Sequence, residues 1–179
     1  MPNLIRVPFP HMALNSHNVP QPDYLMFNTW KVAQTDTVAH IVGWVRVVAK
    51  GMPGGQIETL IFNAHGNPGK IYLGQGITYY DLHEFQFWKT EKGPLIKNIW
   101  IVACRVAGSD PASGVITGDQ FCKELAATTG ASVTAAVREQ RVGMNKIPIG
   151  FIDEWEGEVK KYDKDGNINF QQRENASYK

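Results

Sequence analysis

The chain has 179 residues, 43% of them hydrophobic, enough for one domain with a substantial core. Eighteen Lys and Arg against seventeen Asp and Glu leave a net charge of +1, which excludes the basic field that concentrates nucleic acid or anionic membrane. The two cysteines, Cys104 and Cys122, are too few for a disulfide framework, so reduced thiols are expected.

In chain order, residues 1–22 form a Pro-rich lead, expected to be extended, with no continuous apolar stretch. It resembles neither a signal peptide nor a membrane span. A cytoplasmic location, or export by a route without a cleavable signal peptide, is the expectation, with no membrane partner. Tyr24-Leu25-Met26-Phe27 reads as a short strand, and Thr35-Asp36 as an N-cap before TDTVAHIVGWVRVVAKG. Val38, Ile41, Val42, Val45 and Val48 recur there at helical spacing, with Gly51 where a C-cap belongs.

Glu58 to Phe62 reads as a strand covered on both faces, followed by the turn His65-Gly66. Lys70 to Leu73 suggests a short strand, and TYYDLHEFQFWKTEKG a helical segment closed by Gly93. Asn98 to Ala103 is the strongest strand. GDQFCKELAATTG is an amphipathic helix ending at Gly130, with Cys122 on its apolar face, and ASVTAAV is a further buried strand. In EWEGEVKKYDKDGNINF, Asp165-Gly166 stands between two runs of alternating polarity and signals a hairpin over 154–171. Strands alternating with helices predict a single α/β domain over 1–179, with a largely parallel central sheet and helices on both faces.

In such sheets ligands bind beyond the carboxyl ends of the strands. His65 follows one strand and Cys104 follows the next, so both are expected on one rim. A thiolate attacks carbonyl carbon, and a neighbouring imidazole can ionise the thiol and later return its proton. Gly66 allows a sharp turn without a Cβ, aiming its N–H into the cleft as an oxyanion donor beside the N–H of Cys104.

Ala64-His65-Gly66 after one strand and Val102-Ala103-Cys104 after the next, 104 − 65 = 39 residues on, resemble the caspase-like (clan CD) cysteine peptidases. The stretch HGNPGKIYLGQG…NIWIVACRVAG…GDQFCKELAATTGASVTAAV is similar to bacterial caspase-like domains of uncharacterised type. The resemblance covers the motif-bearing core, residues 57–138, and leaves the lead and the hairpin aside. It implies a caspase-like three-layer fold and a cysteine endopeptidase acting on protein or peptide through an acyl-enzyme. Cys104 would be the nucleophile, His65 the general base or acid, and Gly66 with the Cys104 N–H the oxyanion hole. Members that cut after basic residues often carry an acidic residue two before the nucleophile, where this chain has Val102. Arg105, Arg138 and Glu139 are the candidate substrate-pocket residues, and they leave acidic and basic preferences equally open.

Other motifs fail on context. GNPGKIYLGQG leads into a strand, whereas a dinucleotide site needs a helix N-terminus. KYDKDGNINFQQ would put Lys161 at the first position of a calcium loop, and a hairpin turn explains it better. His11, His17, His40 and His83 lack metal-ligand spacing, and no metal or cofactor is expected. The loop Ala107 to Gly114 is flexible by composition and is expected to be mobile or processed. Two alternatives stand beside the peptidase: a catalytically silent caspase-like interaction module, and a flavodoxin-like domain binding a phosphorylated ligand. Oligomeric state is not legible.

Overall fold

The computed structural model describes residues 4–19, 22–109, 116–138, 140 and 146–172. Seven strands build the central sheet: β1 (His11–Ser16), β2 (Asn28–Val32), β3 (Ile57–Asn63), β4 (Ile96–Val102), β5 (Ser132–Ala136), β6 (Val159–Tyr162) and β7 (Ile168–Gln172). Their spatial order is β2-β1-β3-β4-β5-β6-β7. The first five are parallel, and β6 and β7 add an antiparallel hairpin at one edge, as the Asp165-Gly166 turn predicts. The architecture is therefore mixed α/β on a mainly parallel sheet.

Two α-helices complete the frame, α1 (Val38–Gly51) and α2 (Gly118–Thr129). Thr37 caps α1 by accepting the His40 N–H, one position after the predicted Asp36, whose carboxylate instead accepts the Ala33 N–H. Thr117 and Gln120 form a capping box on α2, which stops at Gly130 in the left-handed region. The predicted helix in TYYDLHEFQFW is a 3-10 helix over Tyr79–Trp88, tied to α1 by the Trp88 indole N–H donating to the Val42 carbonyl at 3.0 Å.

Register explains the layers. Met12, Leu60, Ile99, Val133 and Tyr162 stand opposite one another across five strands. All five belong to a core with Val42 and Val45 of α1, Phe121 and Leu125 of α2, and Phe85. The alternate residues Ala13 and Ile61 face a second core with Tyr24, Met26, Ile147 and Ile152. Among the described residues, both α-helices and the 3-10 helix thus lie on one face, not on two as predicted. The reason is topological. Right-handed crossovers put connections that travel in one direction along a sheet on one face. Only β1→β2 travels the other way, and the described residues of that connection, 17–19 and 22–27, contain no helix. The helix-free face is covered instead by that loop and by the antiparallel pair Leu4–Arg6 with Phe151–Asp153.

Two further expectations are corrected. The Pro-rich lead contains β1, a wholly buried central strand, rather than extended chain alone. Its polar residues are satisfied inside: Ser16 donates to the Asn18 side chain at 2.7 Å, and His11 Nδ1 accepts the Phe27 N–H at 2.9 Å. Tyr24 to Phe27 is loop, because side chains claim its backbone; the Met26 N–H donates to Thr29 Oγ1 and the Tyr24 N–H to Asn15 Oδ1. The next strand begins only at Asn28.

Burial holds His11 below the usual imidazole range. The unfolded chain takes up that proton first, so the contribution of His11 to stability is complete above about pH 6.5 and is lost as pH falls below it. Urea unfolding at pH 7.5 and 5.5 is expected to show lower stability at acid pH, and a smaller drop in His11→Gln. An identical drop in the variant would assign the effect to other groups.

Candidate functional site

Asn15, Asn63 and Val102 occupy one register row at the carboxyl ends of β1, β3 and β4. Each directly follows a residue of the helix-side core, Leu14, Phe62 or Ile101, so all three side chains project toward the helix-free face. There, between the strand ends and the β1→β2 loop, lies a cavity of about 120 Å³. Its lining comes from Val19, Pro22 and Tyr24 of that loop, Asn63 to His65 after β3, Val102 to Cys104 after β4, and Gln140 beyond β5. Connections leaving β1 and β3 on opposite faces open this crevice, which is where open α/β sheets bind ligands. His65 and Cys104 are thus two walls of one cavity.

Gly66 does not make the sharp turn predicted for it. It sits in a short strand, His65–Asn67, the first of a three-stranded antiparallel sheet, and its φ is not positive. Close approach is what demands glycine there: a Cβ would lie 2.6 Å from Val106 Cγ2, 2.8 Å from the Cys104 carbonyl oxygen and 3.0 Å from Ala103 Cβ. The backbone after β3 is therefore pressed onto the segment that carries Cys104.

That segment turns sharply. Arg105 has φ 59°, the only positive φ of a non-glycine among the described residues. The left-handed region costs an L-residue with a long side chain about 1–3 kcal/mol and is held here by surrounding bonds. The Arg105 N–H donates to the Arg138 carbonyl at 3.0 Å, the Ala107 N–H to the Ala136 carbonyl at 3.0 Å, and the Gly69 N–H to the Val106 carbonyl at 3.1 Å. Gly118, at the start of α2, packs on the same turn with its N–H on the Gly108 carbonyl at 2.9 Å. Residues 110–114 of the predicted mobile loop lie outside the described residues.

Cys104 is half-buried, and its sulfur lies 3.3 Å from the Gln140 amide nitrogen and 3.6 Å from the Gln140 carbonyl oxygen. The N–H can donate to a thiolate and the carbonyl can accept from a thiol, so either state finds a partner. Gln140 is itself anchored, since its side-chain amide donates to the Glu156 carbonyl at 2.8 Å and accepts the Glu156 N–H at 3.0 Å. The opposite wall is held by Asn15. Its Oδ1 accepts the Tyr24 N–H at 2.9 Å and the Asn63 amide at 2.8 Å, and its own amide donates to the Tyr24 carbonyl at 3.0 Å.

Neither Arg105 nor Arg138 lines the cavity, and Glu139 lies outside the described residues. Arg138 packs its methylenes over Gly157 instead. Asn15, Tyr24, Asn63 and Gln140 were not predicted as site residues. The asparagines carried a signal, each being a polar residue directly after an apolar run, Met12-Ala13-Leu14 or Leu60-Ile61-Phe62; Tyr24 and Gln140 carried none. Cys122 is fully buried on the core face of α2, as expected, and burial, then the nearby Asp119 carboxylate, push its thiol far up. A larger concavity of about 650 Å³ lies at the other end of the strands, between Gln56 and Leu95. It holds none of the paired chemistry.

Among the described residues, no group of three or more His, Cys, Asp or Glu could hold a metal ion, and no helix is long and apolar enough to cross a membrane. No known family model, curated protein or solved structure matches the chain.

Proposed function

We propose that this chain is a caspase-like cysteine peptidase working through Cys104 and His65. The observation that carries the reading is that both residues line one cavity at the carboxyl ends of adjacent parallel strands. The strained Arg105 immediately after the thiol adds support, because such backbone gathers at functional sites. In the reaction His65 takes the Cys104 proton and the thiolate attacks the peptide carbonyl. The tetrahedral oxyanion forms near the backbone of Gly66 and Cys104. Its collapse breaks the C–N bond, His65 protonates the leaving amine, and water then hydrolyses the thioester with His65 again as base. The flavodoxin-like alternative has less support, since a phosphate site wants a helix N-terminus after β1 and the described residues of the β1→β2 connection supply none.

The test uses iodoacetamide on the folded protein. Half-buried Cys104 is expected to alkylate while Cys122 stays unmodified until unfolding. Cleavage of a mixed peptide library by the untreated protein, lost in the singly alkylated one, is the expected result. Cleavage that survives quantitative Cys104 alkylation would remove the proposal, and intact Cys104 with no cleavage would favour the interaction module.

A further inference from the structure

The cavity beside Cys104 carries information about substrate. Five of its lining residues, Val19, Pro22, Ala64, Val102 and Ala103, are apolar. The polar ones are already engaged: the Asn63 amide donates to Asn15 Oδ1 and the Pro22 carbonyl, and the Gln140 amide to the Glu156 and Arg138 carbonyls. Apart from Cys104 and His65, the titratable lining group is the Tyr24 phenol, which burial, and next the Asp153 carboxylate, keep protonated. Among the described residues, then, no Lys, Arg, Asp or Glu lines this space. A volume of about 120 Å³ is smaller than the ~150 Å³ cavity that holds a benzene ring.

Resting on the peptidase reading above, we propose that the residue on the acyl side of the scissile bond is small and uncharged, with its side chain seated between Val19, Tyr24, Ala64 and Val102. With the carbonyl carbon at the Cys104 sulfur, the attached Cα stands at the mouth of this cavity, because Cys104 is one of its walls. Alanine, valine or threonine side chains fit. An aspartate carboxylate would meet no cation other than the reacting His65, and a lysine or arginine would meet no carboxylate, so each would be desolvated without a partner. An indole exceeds the volume.

Peptidyl acyloxymethyl ketones that differ only in this residue test the assignment. The Cys104 thiolate forms a C–S bond to the ketone methylene and expels the carboxylate, and intact mass reads the adduct. The alanine, valine and threonine probes are expected to label at least ten-fold faster than the aspartate, lysine, arginine and tryptophan probes. A charged or tryptophan probe labelling fastest overturns the small-neutral assignment while leaving the thiol chemistry standing. If no peptidyl probe labels Cys104 faster than a peptide-free ketone, the peptidase reading fails and this inference with it. Val102→Asp, which adds a carboxylate to the wall, is expected to move preference toward the lysine probe. An unchanged order in the folded variant would show that the acyl-side residue lies elsewhere.

Discussion

Replacing Cys104 with alanine is expected to lower peptide turnover by at least about 10³-fold, because no other group at the site can form the acyl intermediate. Stability should barely change. The sulfur accepts one bond, from the Gln140 N–H, and is half exposed, so truncation removes little buried contact. A loss of no more than about 1 kcal/mol is expected, or about 2–4 °C in melting temperature for a domain of this size. His65→Ala should reduce turnover by a similar factor, and the double variant should lose little more, since nucleophile and base act as one unit. Additive losses in the double variant would mean that the two side chains act separately, and the dyad would be wrong. Thermal melts and initial rates on the three variants decide the matter.

Gly66→Ala is expected to produce a different defect, one of both stability and activity. The new methyl would sit 2.6 Å from Val106 Cγ2, 2.8 Å from the Cys104 carbonyl oxygen and 3.0 Å from Ala103 Cβ. Two of those atoms belong to well-held neighbours, as Val106 and Ala103 are both buried, and the third is backbone. Relaxation must therefore displace the Cys104 turn or the strand His65–Asn67. Overpacking of this kind costs about 1–3 kcal/mol, equivalent to about 3–10 °C in melting temperature. A displacement of even about 1 Å at a reacting group can remove a further ~10² in rate. Turnover and melting temperature measured together separate this from Cys104→Ala, which should lose rate alone. Wild-type values of both would show that the turn absorbs a side chain freely.

How far the sequence revealed this arrangement depends on the element. α2 was legible to the residue at its end, because Gly130 is both a break in the apolar period and the left-handed cap. β3, β4 and β5 were visible as short apolar runs, and Asp165-Gly166 marked the hairpin. β1 was hidden. Prolines surround it, and His11, Asn15 and Ser16 break its apolar character, although each finds a hydrogen-bond partner that only tertiary structure supplies. Tyr24 to Phe27 failed for the complementary reason: its apolar residues suit a strand, yet Asn15 and Thr29 capture its backbone. Helices on both faces are a reasonable default for a parallel sheet. Here a single loop stands where the opposite layer would begin, and no local pattern predicts that substitution.

The site shows the same division. His65 and Cys104 could be paired from sequence because each follows a strand, and strand adjacency does the rest. The wall they share could not be assembled that way. Tyr24 and Gln140 arrive from segments far apart in the chain, and each is fixed by a residue distant in sequence, the Gln140 side chain by the Glu156 backbone and the Tyr24 backbone by the Asn15 side chain.

The buried Asn15 amide has a consequence for how the molecule breathes. It joins the loop bearing Tyr24 to two central strands, and its three bonds at 2.8 to 3.0 Å are sealed from solvent at a residue with no exposed surface. A residue secured in this way does not detach on its own; the Tyr24 amide shares the opening free energy of β1 and β3. The Tyr24 amide is therefore expected to exchange as slowly as the amides of β1 and β3, although it lies outside regular secondary structure. Any molecule entering the cavity would meet Tyr24 as a fixed part of its wall.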